Sequence, residues 1–279
     1  LTVVSWGGAY TKSQIEAYHK PYTAKYGTKI QSEDYNGGLA EIRAQVEAGK
    51  ITWDVVDLEV SDAARGCDDG LFEKISAGSL PNGVNGALPS KDFIPGALQE
   101  CAVGTIVWST IYAYDADKYK SKKPTTISDF FDVKKFPGKR GMRKVPKVNL
   151  EWALMADGVD GKDVYKVLAT KAGQDRAFKK LDTIKNDVLW WEAGAQPPQM
   201  LADGEVVMTS AYNGRIFNAA VTEKKNFEIV WDRQLFSFDL YAIIKGTPRL
   251  KEALRYVQFS TASEQLANQA RWISYGPTR

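Results

Sequence analysis

The sequence is poor in the residues that serve nucleophilic and metal chemistry. It has one histidine and two cysteines among 279 residues, too few for a convincing zinc site. It also lacks a Gly-x-Ser-x-Gly elbow, a phosphate loop ending in Gly-Lys-Ser/Thr and a three-glycine dinucleotide fingerprint. These absences favour a binding protein over an enzyme, and we expect neither a metal nor a cofactor. The single histidine, His19, follows a helical pattern beside Lys20 and is expected on a helix surface.

Neither sign of charge dominates, and no long apolar run is present. Lys and Arg together number 37 against 34 Asp and Glu, for a net charge of +3. Nucleic-acid-binding domains carry a clustered basic patch, so no nucleic-acid partner is expected. The longest apolar stretch, AVGTIVWSTIYAY, contains Thr and Ser and falls short of the roughly 20 residues that a membrane helix needs.

The chain does contain regular alternation of strand and helix patterns. VVSW, TKIQSEDY and WDVVDLE are typical strands, and the segments between them have helical spacing, with Pro21 dividing the first helix and Gly27 ending it. This β-α-β-α-β order predicts a parallel sheet. After the loop-rich stretch 76–100 come a long strand candidate, CAVGTIVWSTIYAYD, and a second series of elements, which indicates a second domain.

Two local features have two interpretations each. Trp6 and a Gly-Gly corner follow the first strand in WGGAY, either as a simple turn or as a corner that faces a ligand beyond the carboxyl ends of the strands. Cys67 and Cys101 are either two buried thiols or one disulfide, and a disulfide would indicate an oxidising compartment.

Five segments, in order along nearly the whole chain, resemble the extracellular solute-binding proteins that serve ABC importers, most closely the spermidine/putrescine-binding group. They are WGGAYTKSQIEAYHKPYTAKYG, ITWDVVDLE, VGTIVWSTIYAYD, DGEVVMTSAYNGR and FDLYAIIKGTP. The resemblance implies an α/β fold of the two-lobed periplasmic-binding type (type II-like), with a ligand cleft between lobes that close by a hinge motion. By this analogy lobe 1 is residues 1–111 plus 236–279, lobe 2 is 112–235, and the hinge crossings lie near 108–115 and 229–236.

The resemblance also implies a location and partners. It favours a Cys67–Cys101 disulfide and the periplasm, or the outer surface of a Gram-positive cell, with a signal peptide removed. The implied partners are a small amine or amino-acid-like ligand and the membrane permease of an ABC importer, and we expect a monomer. An enzyme on a two-lobed α/β scaffold, of the deaminase or transferase type, is the alternative from another class.

Several ligand-binding residues carry over from the resemblance. Trp6 is implied as a cleft residue with Tyr10 behind it, Tyr212 as a ring that stacks on the ligand, and Asp239 as the acceptor of the ligand amine. Trp108, Ser109 and Thr110 are expected near the hinge, and Ser237 replaces a tryptophan of the polyamine binders. One of Trp190 and Trp191 is expected to line the cleft while the other packs.

One departure from the polyamine binders bears on the ligand. Where they have acidic residues before a helix of the second lobe, this chain has the basic RKVPKVN. Arg215 could instead hold a carboxylate, unless it forms a structural salt bridge, just as Asp239 could be a structural cap. Together they suit an ω-amino acid such as 4-aminobutyrate. A polyamine receptor is the alternative, with the second counter-charge sought among four carboxylates: Asp57, Glu59, Glu151 and Glu192.

Overall fold

The chain folds into two compact α/β units in a computed structural model that describes residues 1–279. The first unit comprises Leu1–Trp108 and Ser237–Arg279, and the second comprises Ser109–Phe236. The chain passes between the units within two strands, β4 (Ala102–Asp115) and β8 (Phe227–Ile243). The sequence-based boundaries, 111/112 and 235/236, fall within the same two strands, and a hinge motion about them stays a prediction.

The first unit contains a sheet with helices packed on it. Its remaining elements are β1 (Thr2–Ser5), α1 (Gly8–Gln14), α2 (Lys20–Tyr26), β2 (Gln31–Asp34), α3 (Ala40–Ala48), β3 (Val55–Glu59), α4 (Val60–Asp68), α5 (Pro89–Asp92), α12 (Leu250–Ser260), α13 (Ser263–Ala270) and β9 (Gly276–Pro277). The order β2-β1-β3-β8 has β1 parallel to both β2 and β3, as predicted, and β3 antiparallel to β8. The two-residue β9 pairs with β4.

Helices cover both faces of the central strands, which explains the consecutive buried apolar residues Val3–Val4 of β1 and Val55–Val56 of β3. Successive side chains of a strand point to opposite faces. Val3 and Val55 therefore join one core, with Tyr18, Tyr22, Tyr241 and Tyr256. Val4 and Val56 join the other, with Leu58, Leu240 and Phe72.

The first helical run is divided just before Pro21. A π-helical turn, Ile15–His19, separates α1 from α2, and Gly27 ends the run with φ 71°. The expectation that His19 lies on the surface is wrong, because only 4% of its side chain is exposed and its ring packs on Tyr256. His19 lies in the π-helical turn and faces Tyr256 of α12, a contact that helical spacing alone does not predict.

Cys67 and Cys101 form a disulfide, with 5.7 Å between their Cα atoms. It ties the end of α4 to the residue before β4, inside the first unit. The disulfide that the resemblance implied is therefore confirmed. It lies at one core of the sheet, where Cys101 is buried beside Ala102.

The second unit repeats the sheet-and-helix arrangement. Its elements besides β4 and β8 are α6 (Ile127–Phe131), β5 (Arg140–Arg143), α7 (Asn149–Ala156), α8 (Val164–Leu168), α9 (Lys171–Asp182), β6 (Val188–Trp191), α10 (Gln196–Ala202), β7 (Met208–Tyr212) and α11 (Asn213–Val221). The strand order is β4-β7-β5-β6, in which β5 is parallel to β6 and β7. The longest α-helix of the chain, α9, has 12 residues, and none of the helices is both long and apolar enough to cross a membrane.

Candidate functional site

The first unit gathers polar and aromatic side chains at the carboxyl ends of its parallel strands. Trp6 follows β1 and Tyr35 follows β2, and their rings lie 4.9 Å apart between centroids. The Gly-Gly corner after Trp6 is a tight turn, since Gly7 has φ 73° and donates its N–H to Thr11 Oγ1 at 2.8 Å. The turn also directs the Trp6 indole toward Asp57, whose Oδ1 it approaches at 3.4 Å. The turn interpretation of WGGAY is therefore confirmed, and the interpretation that the corner also faces a ligand stays a prediction.

Asp57 lies at the centre of this group, on β3, and is fully buried. Its Oδ2 accepts hydrogen bonds from Tyr10 Oη at 2.8 Å and Gln14 Nε2 at 2.5 Å. Burial raises the pKa of Asp57 to about 7, against the hydrogen bonds from Tyr10, Gln14 and Trp6 and one with the Asp239 carboxyl. Two carboxyl groups share a hydrogen bond only when one of them carries a proton, which fits the raised pKa.

Asp239 lies next to this centre, on β8, directly opposite Glu59 of β3. Only 5% of Asp239 and 7% of Glu59 is exposed. The Asp239 Oδ1 accepts the Trp108 indole N–H at 2.7 Å. We call Asp57, Glu59 and Asp239 the acidic cluster. Like charges directly opposite each other destabilise a ladder, so the cluster favours a cation beside it.

Trp6, Tyr10, Trp108 and Ser237 are the other sequence-predicted residues of the first unit. Trp6 and Trp108 are partly exposed, whereas Tyr10 is 1% exposed and holds Asp57 from behind. Ser237 is partly buried and shares a strand face with Asp239, two residues on. The structure thus brings Trp6, Tyr10, Trp108 and Asp239 together around Asp57.

The second unit presents basic residues at the carboxyl ends of its own parallel strands. Arg143 ends β5, and its guanidinium carbon lies 5.9 Å from the centroid of Tyr212, which ends β7. Arg215 is the third residue of α11 and is 4% exposed. The buried ring of Trp191 meets Tyr212 edge-on at 5.8 Å. We call Arg143, Tyr212 and Arg215 the arginine cluster.

Neighbouring loops hold the arginine cluster in place. The Ser109 N–H donates to Asn213 Oδ1 at 2.9 Å, which ties β4 to the start of α11. Asn149 Nδ2 donates to the carbonyl oxygens of Arg143 and Val145, both at 2.7 Å. Of the two tryptophans expected to divide their roles, Trp191 is packed and Trp190 is 52% exposed.

The four alternative carboxylates divide between the units. Asp57 and Glu59 belong to the acidic cluster. Glu151 is buried on α7 and hydrogen-bonds with Tyr165, and Glu192 forms an exposed ion pair with Lys144 at 3.4 Å. Sequence reasoning missed Tyr35, although SEDY ends the second strand at the same sheet edge as Trp6. It recognised Arg143 only as part of a basic stretch.

The described side chains include no group of three or more His, Cys, Asp and Glu residues arranged to hold a metal ion. The two clusters offer charged groups, ring faces and hydrogen-bonding groups for recognition. A carboxylate group flanked by indole rings suits an ammonium ion. Paired guanidinium groups suit a carboxylate, which they hold by two parallel hydrogen bonds.

Comparison with known proteins agrees with this chemistry. The family model for bacterial extracellular solute-binding proteins matches residues 17–279. The gamma-aminobutyric acid-binding protein of Pseudomonas aeruginosa is 45% identical over 277 residues, which are 99% of this chain and 76% of that protein. The PBP MotA from A. tumefaciens B6, solved with glucopine, is 30% identical with a TM-score of 0.91 over 100% of this chain and 83% of its own. The Atu4243 GABA receptor is 32% identical with a TM-score of 0.83, over 100% and 82%. The two-lobed α/β fold expected from the sequence is confirmed.

Proposed function

Because the chain belongs to the bacterial extracellular solute-binding proteins, we propose that it captures 4-aminobutyrate or an ω-amino acid of similar length. Its family and its relatives make it the solute-binding component of an ABC transporter and not an enzyme. The deaminase or transferase alternative is therefore set aside.

The observation that carries the ligand proposal is the opposite charge of the two clusters. The first unit contributes the acidic cluster, and the second contributes Arg143 and Arg215. A ligand with one ammonium and one carboxylate matches both signs. The proposal also draws support from two relatives whose names specify gamma-aminobutyric acid, one of them 45% identical.

The ammonium end is assigned to the acidic cluster. Asp239 supplies the primary counter-charge, and Asp57 supports it through their shared hydrogen bond. The faces of Trp6 and Trp108 add a cation–π attraction of roughly 0.5–2 kcal/mol per contact. Tyr10 orients Asp57 through the hydrogen bond that it donates to the carboxylate. Ser237 is smaller than the tryptophan that polyamine binders have at this position.

The carboxylate end is assigned to the arginine cluster. Arg215 is buried, so it pairs with an anion where water screens little. Arg143 supplies a second guanidinium, Tyr212 offers a ring face against the aliphatic chain, and Ser109 steadies the start of α11. A diamine would place a second ammonium against two guanidinium groups. The polyamine specificity of the spermidine/putrescine group is therefore the less favoured proposal.

The setting is proposed on the same basis. We place the protein in the periplasm, as a monomer that hands its ligand to the importer permease. Capture is by hinge closure of lobes 1–111 plus 236–279 and 112–235 about the crossings near 108–115 and 229–236.

A paired calorimetric titration tests the ligand. The wild type should bind 4-aminobutyrate more tightly than putrescine, which differs chiefly in having ammonium in place of carboxylate. Arg215→Ala should weaken 4-aminobutyrate by roughly 2–5 kcal/mol, because it breaks a buried charge pair, and should leave putrescine unchanged or tighter. Arg176→Ala, which removes an exposed arginine of the same unit, is the matched control and should alter neither. Tight binding of putrescine with none of 4-aminobutyrate would show that the ligand is a polyamine instead.

A further inference from the structure

Gly194 lies in the short loop between β6 and α10, beside the arginine cluster. A Cβ atom added at this position would lie 2.9 Å from Arg215 Nε, 3.1 Å from Arg215 Cζ and 3.1 Å from Tyr212 Cε2. Real Cβ atoms essentially never approach another heavy atom within 3.0 Å. The space that a side chain would fill is therefore already occupied by two members of the arginine cluster.

Backbone conformation does not explain this glycine. Gly194 is not among the glycines with positive φ, such as Gly7, Gly27 and Gly204. An alanine could adopt its backbone angles without strain. An added side chain at this position would therefore disturb the placement of Arg215 and Tyr212 and not the backbone of the turn.

The loop cannot easily move away from those side chains. Gln196 Oε1 accepts the N–H groups of Glu192 at 2.8 Å and Ala193 at 2.7 Å. Trp191, immediately before them, is buried to within 1% and packs on Tyr212. A methyl group at position 194 would thus be held in place, and the flexible Arg215 side chain would have to shift.

We propose that Gly194 is a positioning residue for ligand recognition: the absence of a side chain there sets where the Arg215 guanidinium meets the ligand carboxylate. This inference rests on the proposed function. Gly194 does not itself touch the ligand, and its effect is exerted through Arg215.

The test is the affinity of Gly194→Ala for 4-aminobutyrate, measured by calorimetry. We expect it to fall about tenfold or more, as for the loss of one hydrogen bond to a charged group. Gly161→Ala is the matched control in the same unit, since an added Cβ there comes no closer than 3.7 Å to Met155 Sδ. Its affinity should stay within about twofold, since the change removes no contact with the ligand.

A double-mutant cycle separates positioning from a structural role. Lysine at position 215 keeps the charge on a more flexible stem without the planar fork, so Gly194→Ala should cost much less in an Arg215→Lys background. Equal effects in both backgrounds would contradict the inference. So would a thermal midpoint more than about 5 °C below that of Gly161→Ala, which corresponds to over 1 kcal/mol, since the glycine would then serve folding.

The two proposals fail differently. Absence of 4-aminobutyrate binding in the wild type overturns the proposed function and this inference with it. Binding by the wild type with an unchanged affinity in Gly194→Ala overturns the inference alone.

Discussion

His19 is a buried titratable residue outside the two clusters. Burial lowers its pKa to about 4, from an ordinary value of 6.5. Its Nε2 has no hydrogen-bond partner, so nothing compensates for placing a charge there. The neutral imidazole is therefore the form that the folded protein accommodates.

The pH dependence follows from the direction of that shift. Because the folded pKa lies below the unfolded one, the stability that neutral His19 contributes is complete above pH 6.5 and is lost as the pH falls toward 4. As the only histidine, it gives a single imidazole C2–H signal in a proton NMR titration. We expect a midpoint of about 4 in the folded protein, and a flatter acid loss of stability in His19→Gln. A midpoint near 6.5 would show that the ring reaches water.

The pKa of Asp57 is shifted in the opposite direction, upward, and this residue shows why the residues proposed to bind an amine are difficult to identify from sequence. Asp57 belongs to the segment WDVVDLE, whose strand is buried on both faces. Such a strand has no alternation of polar and apolar residues that could distinguish a functional carboxylate from a structural one. Only the fold brings Tyr10, Gln14 and Trp6 to it, from positions 43 to 51 residues away. The sequence accordingly offered Asp57 as one of four carboxylates, without a way to choose.

At the scale of elements, the three parallel strands of the first unit and most helices follow from the sequence because each has a complete local signal. The order of short strand-like runs and segments of helical spacing, with Pro21 and Gly27 as breaks, predicts the first three strands and the helices between them. The helix α4 has no such signal: Gly66 lies within it, and a Cβ added there would meet the Phe72 ring at 2.2 Å. Close packing, which propensity does not encode, explains that residue.

The strand β8 was less predictable than β4 for a related reason. The segments IVWDRQLF and FDLYAI have separate patterns, yet they form one 17-residue strand, β8. Its exposed residues, such as Arg233 and Phe236, interrupt the apolar run. Residues 239–243 of β8 pair with β3. This pairing is a tertiary contact, which neither segment indicates by itself.

The Cys67–Cys101 disulfide links two elements of the first unit and closes a loop of 34 residues. By the chain-entropy model, such a crosslink stabilises by about 3–4 kcal/mol, because it restricts the unfolded chain. We expect the Cys67→Ala/Cys101→Ala variant to lose about that much unfolding free energy in urea. Affinity for the ligand serves as the control and should change little.

Intact mass provides an independent check of the disulfide. Reduction should add two hydrogens to the untreated protein. Two thiols that titrate in unfolded protein without any reductant would contradict the crosslink, and would weaken the periplasmic assignment with it.

At the scale of the whole molecule, the proposed function gives each of the two units one end of the ligand to bind. Glu59 ends the parallel strand β3 of one unit and Arg143 ends the parallel strand β5 of the other, at strand ends where α/β folds gather ligands. The acidic cluster belongs to one unit and the arginine cluster to the other. Under the proposed function one ligand supplies the counter-charge for both clusters, so its binding would stabilise the conformation in which it contacts both.

The most direct measurement is a calorimetric titration of the wild type with three ligands of one chain length: 4-aminobutyrate, butyrate and butylamine. The account predicts that only 4-aminobutyrate binds tightly. Each analogue should lose roughly 2–5 kcal/mol, because it lacks one of the two charged groups that the clusters are proposed to bind. Butyrate or butylamine binding as tightly as 4-aminobutyrate would contradict the claim that the two clusters recognise opposite ends of one ligand.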